Sequence, residues 1–182
     1  MDSKAREVLD FWFRDVGPEQ WFSGGENLDA MVAEQFADLL AEARGGALDH
    51  WAAMGPLSRL ALILLLDQFP RHIHRGTAAA FASDEKALAL ALDGLDKGME
   101  ARLTLSQRHF FALPLMHAED PQVQARALDR YTALHAETAQ ILAFAQAHAD
   151  EIARFGRFPG RNTALGRETS EAEATFLATR EG

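Results

Sequence analysis

Residues 55–71 read Gly-Pro-Leu-Ser-Arg-Leu-Ala-Leu-Ile-Leu-Leu-Leu-Asp-Gln-Phe-Pro-Arg, and the architecture follows from this stretch. Pro56 suits a first helical turn, where its missing N–H is not needed. The run from Leu60 to Leu66 is apolar on every side of a helix, a pattern typical of a helix that is buried all round. Pro70 limits the far end, because the residue before a proline is pushed out of the helical region. The stretch predicts a central buried helix over residues 57–69.

Helical periodicity continues on both sides of this helix. We expect further helices around Val8–Phe13 and over 28–44, 48–54, 77–95 (capped by Thr77), from 106 with a break or a kink at Pro114, over 121–152, and from a capping box at Ser170 and Glu173. No β-hairpin signature and no low-complexity tract interrupts them. The sequence therefore predicts one all-α domain over residues 1–182, with about eight helices in a helix-pair bundle or a short right-handed stack.

Composition and charge exclude several classes of function. The 182 residues include 27 acidic and 18 basic side chains, for a net charge of −9, and no cysteine. Disulfides, thiolate nucleophiles, cysteine-ligated zinc and iron–sulfur clusters are excluded. The negative charge disfavours nucleic acid, and no apolar run approaches the roughly 20 residues of a membrane span. Because Met1-Asp2-Ser3-Lys4 does not begin a secretory leader, we expect a cytoplasmic protein, and the sequence leaves its oligomeric state open.

Three windows, residues 68–83, 101–118 and 152–167, contain no Asp or Glu. Each window places arginine or histidine beside phenylalanine and proline. The third holds four arginines within residues 154–167, where glycines and a proline rule out a regular helix. Arginine is always charged and its planar fork matches carboxylates and phosphates, so these windows predict a site for an anionic or polar ligand.

The candidate ligand-binding residues come from these windows and from the end of the central helix. They are Asp67, Gln68, Arg71, Arg75, Arg108, Arg154, Arg157, Arg161 and Asn162. Arg75 also precedes the helix predicted from Thr77, whose free N–H groups would favour an anion. The alternative is that these arginines pair internally with Asp67, Asp84 or Glu119. The sequence leaves both interpretations open.

His109 and His117 are the best candidates for general acid–base chemistry, because histidine titrates near neutral pH. They lie about 80° apart around a regular helix. With Glu119 they could form a metal site of two histidines and one carboxylate, but the two ligands of such a site on one helix are usually three or four residues apart, and these are eight apart. His72 and His74 do not have this spacing either. A histidine bonded to a backbone carbonyl at a helix end is the simpler interpretation. We therefore expect no metal and no cofactor, and no phosphate-binding loop, serine elbow or zinc-protease motif occurs.

Several strings along the chain resemble a known family. They are Asp-Phe-Trp-Phe (10–13), Leu-Asp-Gln-Phe-Pro-Arg (66–71), Arg-Gly-Thr (75–77), Ala-Phe-Ala-Ser-Asp (80–84), Arg-His-Phe-Phe (108–111), Leu-Pro-Leu-Met-His-Ala-Glu (113–119), Arg-Phe-Gly-Arg-Phe-Pro-Gly-Arg-Asn (154–162) and residues 171–177. Together they are similar to the bacterial domain-of-unknown-function family nine-two-four. The resemblance implies an all-helical fold of the tetratricopeptide-like superfamily and no established activity. The sequence departs from the family at His72, where asparagine is frequent, and at Gly160, where histidine is frequent.

Three functional hypotheses follow. In the first, the candidate residues line a pocket that binds a small anionic or polar ligand. In the second, the helices form a scaffold that binds a protein or peptide through an apolar patch near Trp21-Phe22. In the third, the chain is a hydrolase or transferase with His109 or His117 as its base. We favour the first, because no nucleophile–base pair can be identified from spacing.

Overall fold

The computed structural model describes residues 1–21 and 25–179, except for the side chain of Ile141, and the regular elements of these residues are all helical. The α-helices are α1 (Ser3–Asp10), α2 (Glu26–Arg44), α3 (Pro56–Asp67), α4 (Phe69–Ile73), α5 (Asp84–Asp96), α6 (Leu105–His117), α7 (Pro121–Phe155) and α8 (Glu171–Ala178). A π-helical turn, Phe11–Asp15, extends α1. The predicted all-α fold class is confirmed.

The chain divides into two compact units, Met1–Tyr131 and Thr132–Gly182, and α7 runs from the first into the second. The one domain expected over residues 1–182 and the tetratricopeptide-like stacking therefore stay predictions. None of the helices in residues 1–21 and 25–179 combines the length and the hydropathy that crossing a bilayer requires.

Helix α3 is the core of the first unit, as its sequence predicts. Its seven residues from Leu60 to Leu66 are fully buried, and the helix packs against α1, α2, α5 and α6. Each buried leucine contributes about 1.5–3 kcal/mol relative to an exposed one, so this helix holds the surrounding four in place. Asp67, the last residue of α3, is also buried.

The junction after α3 differs from the prediction in one detail. The helix ends at Asp67 rather than at Phe69, and Pro70 lies inside the first turn of the short helix α4. Proline is accepted there because the first amides of a helix have no intrahelical partner. The chain therefore turns at Gln68, and this turn sets the polar side chains of 67–71 against the end of α6.

The helix predicted from Thr77 is wrong over its first turns. Residues Ala78–Ala80 form a short 3₁₀ turn, and α5 begins only at Asp84. The hydroxyl of Thr77 donates to the carbonyl of His74 at 2.8 Å instead of capping a helix. The helical N-terminus expected beside Arg75 is therefore not at that position.

Two arginine side chains explain why this segment is not helical. Arg44 donates to the carbonyl of Ala79 at 2.6 Å, and Arg71 donates to that of Ala80 at 3.3 Å. These carbonyls would accept backbone amides in an α-helix, so the side-chain donors replace helical hydrogen bonds. The helix predicted over 48–54 is likewise a 3₁₀ turn, Asp49–Ala53.

The second unit is built on the end of α7, a 3₁₀ turn at Pro159–Arg161 and helix α8. The predicted capping box is confirmed: Ser170 Oγ accepts from the amide of Glu173 at 3.3 Å, and Glu173 Oε2 accepts from the amide of Ser170 at 2.8 Å. The box fixes where α8 begins.

Candidate functional site

Asp67 is the centre of a polar cluster where α3, α4 and α6 meet. Its carboxylate is 1% exposed and accepts from Nε2 of Gln68 at 2.5 Å. Nδ1 of His117, the last residue of α6, lies 2.7 Å from its Oδ1. Nη2 of Arg71, one turn further along the chain, is 3.6 Å from the same oxygen. The buried negative charge thus has three polar partners, which such a charge requires.

The geometry of this cluster fixes the proton on His117. An ionised carboxylate only accepts hydrogen bonds, so Nδ1 of the ring carries the hydrogen that points at Asp67. In the neutral ring, Nε2 then has the free lone pair, directed away from the buried carboxylate. The His117 side chain is 26% exposed, and the described residues place no hydrogen-bond partner on its Nε2. The His117 side chain also lines two adjoining cavities.

Arg71 links this cluster to the beginning of α5. Its Nη1 and Nη2 each donate to one carboxylate oxygen of Asp84, both at 3.0 Å. Its guanidinium also lies 5.3 Å from the centre of the Phe81 ring, within the range of a cation–π contact. The two-pronged pair holds the guanidinium beside His117 in a fixed orientation.

A cleft of about 750 Å³ opens next to His117 and Arg71. Its apolar surface comes from Phe81, Leu88, Pro114 and Ala118, and its carboxylates are Asp84, Glu85, Glu119 and Asp120. We call this space the acidic cleft, because four carboxylates face one guanidinium. Two carboxylates are already engaged, since Asp84 pairs with Arg71 and Asp120 caps α7 through the amides of Gln122 and Val123.

A second recess of about 180 Å³ shares Arg71 and His117 with the acidic cleft. It is lined by Trp21, Gln68, Arg71, His72, Arg75, Leu113 and His117. We call it the small recess; no carboxylate is among its lining residues in the described part of the chain. Arg71 and His117 face both spaces.

Two lining residues of the small recess, Arg75 and His72, share one carboxylate. Arg75 donates to both oxygens of Asp29, from Nε at 2.5 Å and from Nη2 at 2.7 Å, and Nδ1 of His72 is 2.7 Å from Oδ1. The Arg75 guanidinium holds the pKa of Asp29 below its usual value. Burial lowers the pKa of His72 and outweighs the opposing effect of Asp29, so the fold favours the neutral ring.

His109 and Arg108 lie near the start of α6, about 12 Å along the helix axis from His117. The His109 ring packs edge-on against Phe110 and Tyr131, with centroids 5.1 and 5.5 Å away. Burial, and then the charge of His117, lower its pKa. Of the two histidines considered as bases, the structure places only His117 at the acidic cleft within the described residues.

The predicted residues of 154–162 belong to the second unit. Arg157 and Asn162 contact Glu173: Arg157 Nε donates to Oε1 at 2.7 Å, and Asn162 Nδ2 donates to Oε2 at 3.3 Å. Arg154 stacks over the rings of Phe155 and Phe176, at 4.8 and 5.8 Å, and Arg161 over that of Phe158, at 4.5 Å. The carboxylate that Arg157 binds is thus Glu173, which was not among the partners considered from the sequence.

The structure brings four of the predicted residues into contact: Asp67, Gln68, Arg71 and His117. Arg75 lies nearby in the small recess, whereas Arg108 lies towards the other end of α6. Sequence reasoning missed Phe81, which precedes α5, and Glu85 and Leu88, which lie in α5; all three line the acidic cleft. The spacing of Glu85 and Leu88 places those two on one face of the helix, whereas no helical spacing relates Phe81 to them. In the described residues, no three His, Asp or Glu side chains are arranged to hold a metal ion.

The region expected to carry an apolar docking patch is partly described. Trp21 is half-buried; its Nε1 donates to the carbonyl of Trp12 at 2.9 Å, and its ring packs against Phe110 at 4.9 Å. Its neighbour Phe22 lies outside the described residues. Trp21 is therefore a packing residue that also lines the small recess.

Comparison with known proteins gives one family and one solved structure. The sequence model of DUF924, bacterial proteins of unknown function, matches residues 8–181. A protein of unknown function from Agrobacterium tumefaciens is 40% identical, over 98% of each chain, and superposes with a TM-score of 0.69. No curated protein matches the sequence. The resemblance identified from the sequence strings is confirmed.

Proposed function

The chain belongs to this bacterial family of unknown function, and we propose that it binds a small polar ligand in the acidic cleft, against Nε2 of His117. The observation that carries the proposal is the 2.7 Å contact between Nδ1 of His117 and buried Asp67. A histidine that is held by a buried carboxylate and lines a cleft is a typical arrangement for contacting a bound molecule. The contacts of Asp67 with Gln68 and Arg71 offset the free-energy cost of burying its carboxylate.

The size and lining of the cleft support a ligand of small-molecule dimensions. Its volume of about 750 Å³ falls within the range of roughly 300–1,000 Å³ that ligand pockets occupy. Leu88, Pro114 and Ala118 supply apolar contact, and Phe81, which is 60% exposed, supplies an aromatic ring at the edge. A ligand with an apolar stem and polar ends would cover both kinds of surface.

The charge of the cleft selects among polar ligands. Glu85 and Glu119 are exposed at its edge and would repel a carboxylate or a phosphate. We therefore propose that the acidic cleft takes neutral or positively charged groups. The anionic ligand expected from the sequence would be accommodated better in the small recess, beside Arg71 and Arg75, where no carboxylate is among the described lining residues.

Three five-carbon probes that differ only in their end groups test this proposal: diaminopentane, pentanediol and glutarate. Binding is followed by NMR chemical-shift changes of the assigned protein. We expect the diamine and the diol to shift resonances of Leu88, Ala118 and His117, and glutarate to do so least. Glu119→Gln should weaken the binding of diaminopentane by up to about fivefold, which corresponds to about 1 kcal/mol for an exposed charge pair.

Glu7→Gln is the matched control, because Glu7 is an exposed carboxylate on α1 and does not line the cleft. It should leave the binding of all three probes unchanged. Tighter binding of glutarate than of the diamine in the acidic cleft, or shifts confined to residues elsewhere, would refute the proposal.

A further inference from the structure

We infer that His117 is a general base that activates water in the acidic cleft for the hydrolysis of an ester bond, with Asp67 as its positioning residue; the inference rests on the proposed binding site. The observations are the Nδ1 contact with Asp67, the partial exposure of the His117 side chain, and the lining of the cleft. They assign an activity to the site in addition to binding.

His117 is distinguished from the other histidines by two properties that it combines. His72 also contacts a carboxylate, Asp29, but its side chain is only 7% exposed. Nε2 of His74 lies 3.2 Å from Arg44, and Nδ1 of His50 lies 3.1 Å from a backbone carbonyl of its own turn. Among the described histidines, His117 is the one that joins a buried carboxylate to a cleft of ligand size.

The lining of the cleft determines the nucleophile. Its described residues carry carboxylates, a guanidinium, an imidazole and apolar groups, and no hydroxyl or thiol. A covalent intermediate on serine, threonine or cysteine is therefore not available in this cleft. Carboxylates and imidazoles can also attack a carbonyl, but Glu85 and Glu119, which have no described partner in the cleft, are exposed at its edge. We therefore assign the attack to a water molecule hydrogen-bonded to Nε2 of His117.

The reaction then balances with groups already present. Nε2 of His117 takes a proton from water, whose oxygen uses the released electron pair to form a bond to the ester carbonyl carbon. The bond from that carbon to the leaving oxygen breaks, and the proton on Nε2 passes to this oxygen to give the alcohol. Asp67 keeps the Nδ1 proton in place and stabilises the positive ring between the two transfers, without becoming protonated itself.

Asp67 acts through its position and charge. Its carboxylate is buried and is held by Gln68, so it does not reach the cleft itself. Replacing it by asparagine keeps the size of the side chain but allows the amide to donate to Nδ1. The proton of His117 would then move to Nε2 and block the lone pair that the base requires.

The test uses p-nitrophenyl acetate as the ester, nitrogen NMR of the imidazole rings, and pentanediol as the binding probe. We expect the wild-type ring to carry its hydrogen on Nδ1. We expect His117→Gln to lower ester hydrolysis by about 100-fold or more, the range that general-base catalysis supplies. His135→Gln, the same exchange at an exposed histidine of α7, is the control and should retain the wild-type rate.

Asp67→Asn tests the positioning role through the position of the ring hydrogen of His117, which should move from Nδ1 towards Nε2. The other resonances of the protein should stay in place, which distinguishes this effect from a loss of packing. If Asp67→Asn does not fold, the test rests on the wild-type protein, whose His117 ring must carry its hydrogen on Nδ1. Unchanged hydrolysis in His117→Gln, or a wild-type ring with its hydrogen on Nε2, overturns the inference. If only the catalytic inference fails, pentanediol should still shift the resonances of the acidic cleft. If pentanediol shifts no resonance of the cleft in the wild type, the proposed binding site itself is refuted.

Discussion

Arg157 donates to both carboxylate oxygens of Glu173, from Nε to Oε1 at 2.7 Å and from Nη2 to Oε2 at 2.9 Å. The same carboxylate accepts from the amide of Ser170 and from Nδ2 of Asn162. One side chain therefore completes the capping box of α8 and holds the arginine-rich loop of residues 154–162. For Arg157, the basic character of the loop is explained by an internal partner, Glu173, which lies eleven residues after Asn162 in the chain.

Acid should weaken the second unit through Glu173. Hydrogen bonds from Arg157 and from the amide of Ser170 lower its pKa from the ordinary 4.5 to about 2. A carboxyl with a depressed native pKa stabilises the fold fully above its unfolded value and loses this contribution as the pH falls through the native value. We expect the stability of α8, measured by amide hydrogen exchange, to fall between pH 4.5 and about 2. In Glu173→Gln, α8 should be less stable than in the wild type at neutral pH, and its stability should change little across this pH window.

The exposed neighbour Glu171, also in the first turn of α8, provides the control. Glu171→Gln should keep the wild-type pH dependence, because its side chain lacks the pair with Arg157. An equal slope in wild type and Glu173→Gln would show that the carboxylate does not hold the loop.

Gly94 should not tolerate a side chain. A Cβ at this position would lie 2.5 Å from Cζ of Phe111 and 2.9 Å from Cδ of Arg59, both buried. Overpacking of this kind costs about 1–3 kcal/mol, against which alanine regains less than about 1 kcal/mol of helix propensity. We expect Gly94→Ala to lower the free energy of unfolding in urea. Gly160→Ala, with its nearest new contact at 3.9 Å, should be close to neutral.

Arg44 should fix the wall of the acidic cleft. It donates to Ser83 Oγ at 2.8 Å and to the carbonyl of Ala79 at 2.6 Å, on both sides of Phe81. Arg44→Met keeps most of the apolar stem and removes the donor from both acceptors, at about 1–3 kcal/mol for the buried Ser83 and less for the half-buried carbonyl of Ala79. We expect faster amide exchange over residues 77–83 and weaker binding of the five-carbon probes. Arg14→Met, at a 72% exposed arginine, should change neither.

The sequence predicted the features that depend on local pattern. Helix α3 follows from seven consecutive apolar residues, and the start of α8 follows from the Ser170 and Glu173 spacing. The contact between Asp67 and His117 joins residues fifty positions apart, and no periodicity encodes which buried carboxylate meets which histidine. The helix expected from Thr77 was wrong for the same reason, because Arg44, a distant residue, takes a carbonyl that local propensity assigns to a helix.

His72 should make the first unit sensitive to mild acid. Burial lowers its pKa from the ordinary 6.5, so the native ring stays neutral at a pH where the unfolded chain already binds a proton. Stability is then fully present above pH 6.5 and falls as the pH drops from 6.5 towards the lower native value. Asparagine at this position can still donate to Asp29 but does not titrate. We expect His72→Asn to lose part of the slope of unfolding free energy between about pH 7 and pH 5.

The slope should not vanish in His72→Asn, because burial also lowers the pKa of His109. Asp29 does not interfere, since its ordinary pKa is 3.8 and the Arg75 guanidinium lowers it further, which places its own effect at more acidic pH. His135→Asn, at an exposed histidine, should keep the full wild-type slope. A wild-type slope in His72→Asn would mean that burial and the pair with Asp29 cancel, so that folding does not change the pKa of His72, whereas a steeper slope would mean that the pair outweighs burial.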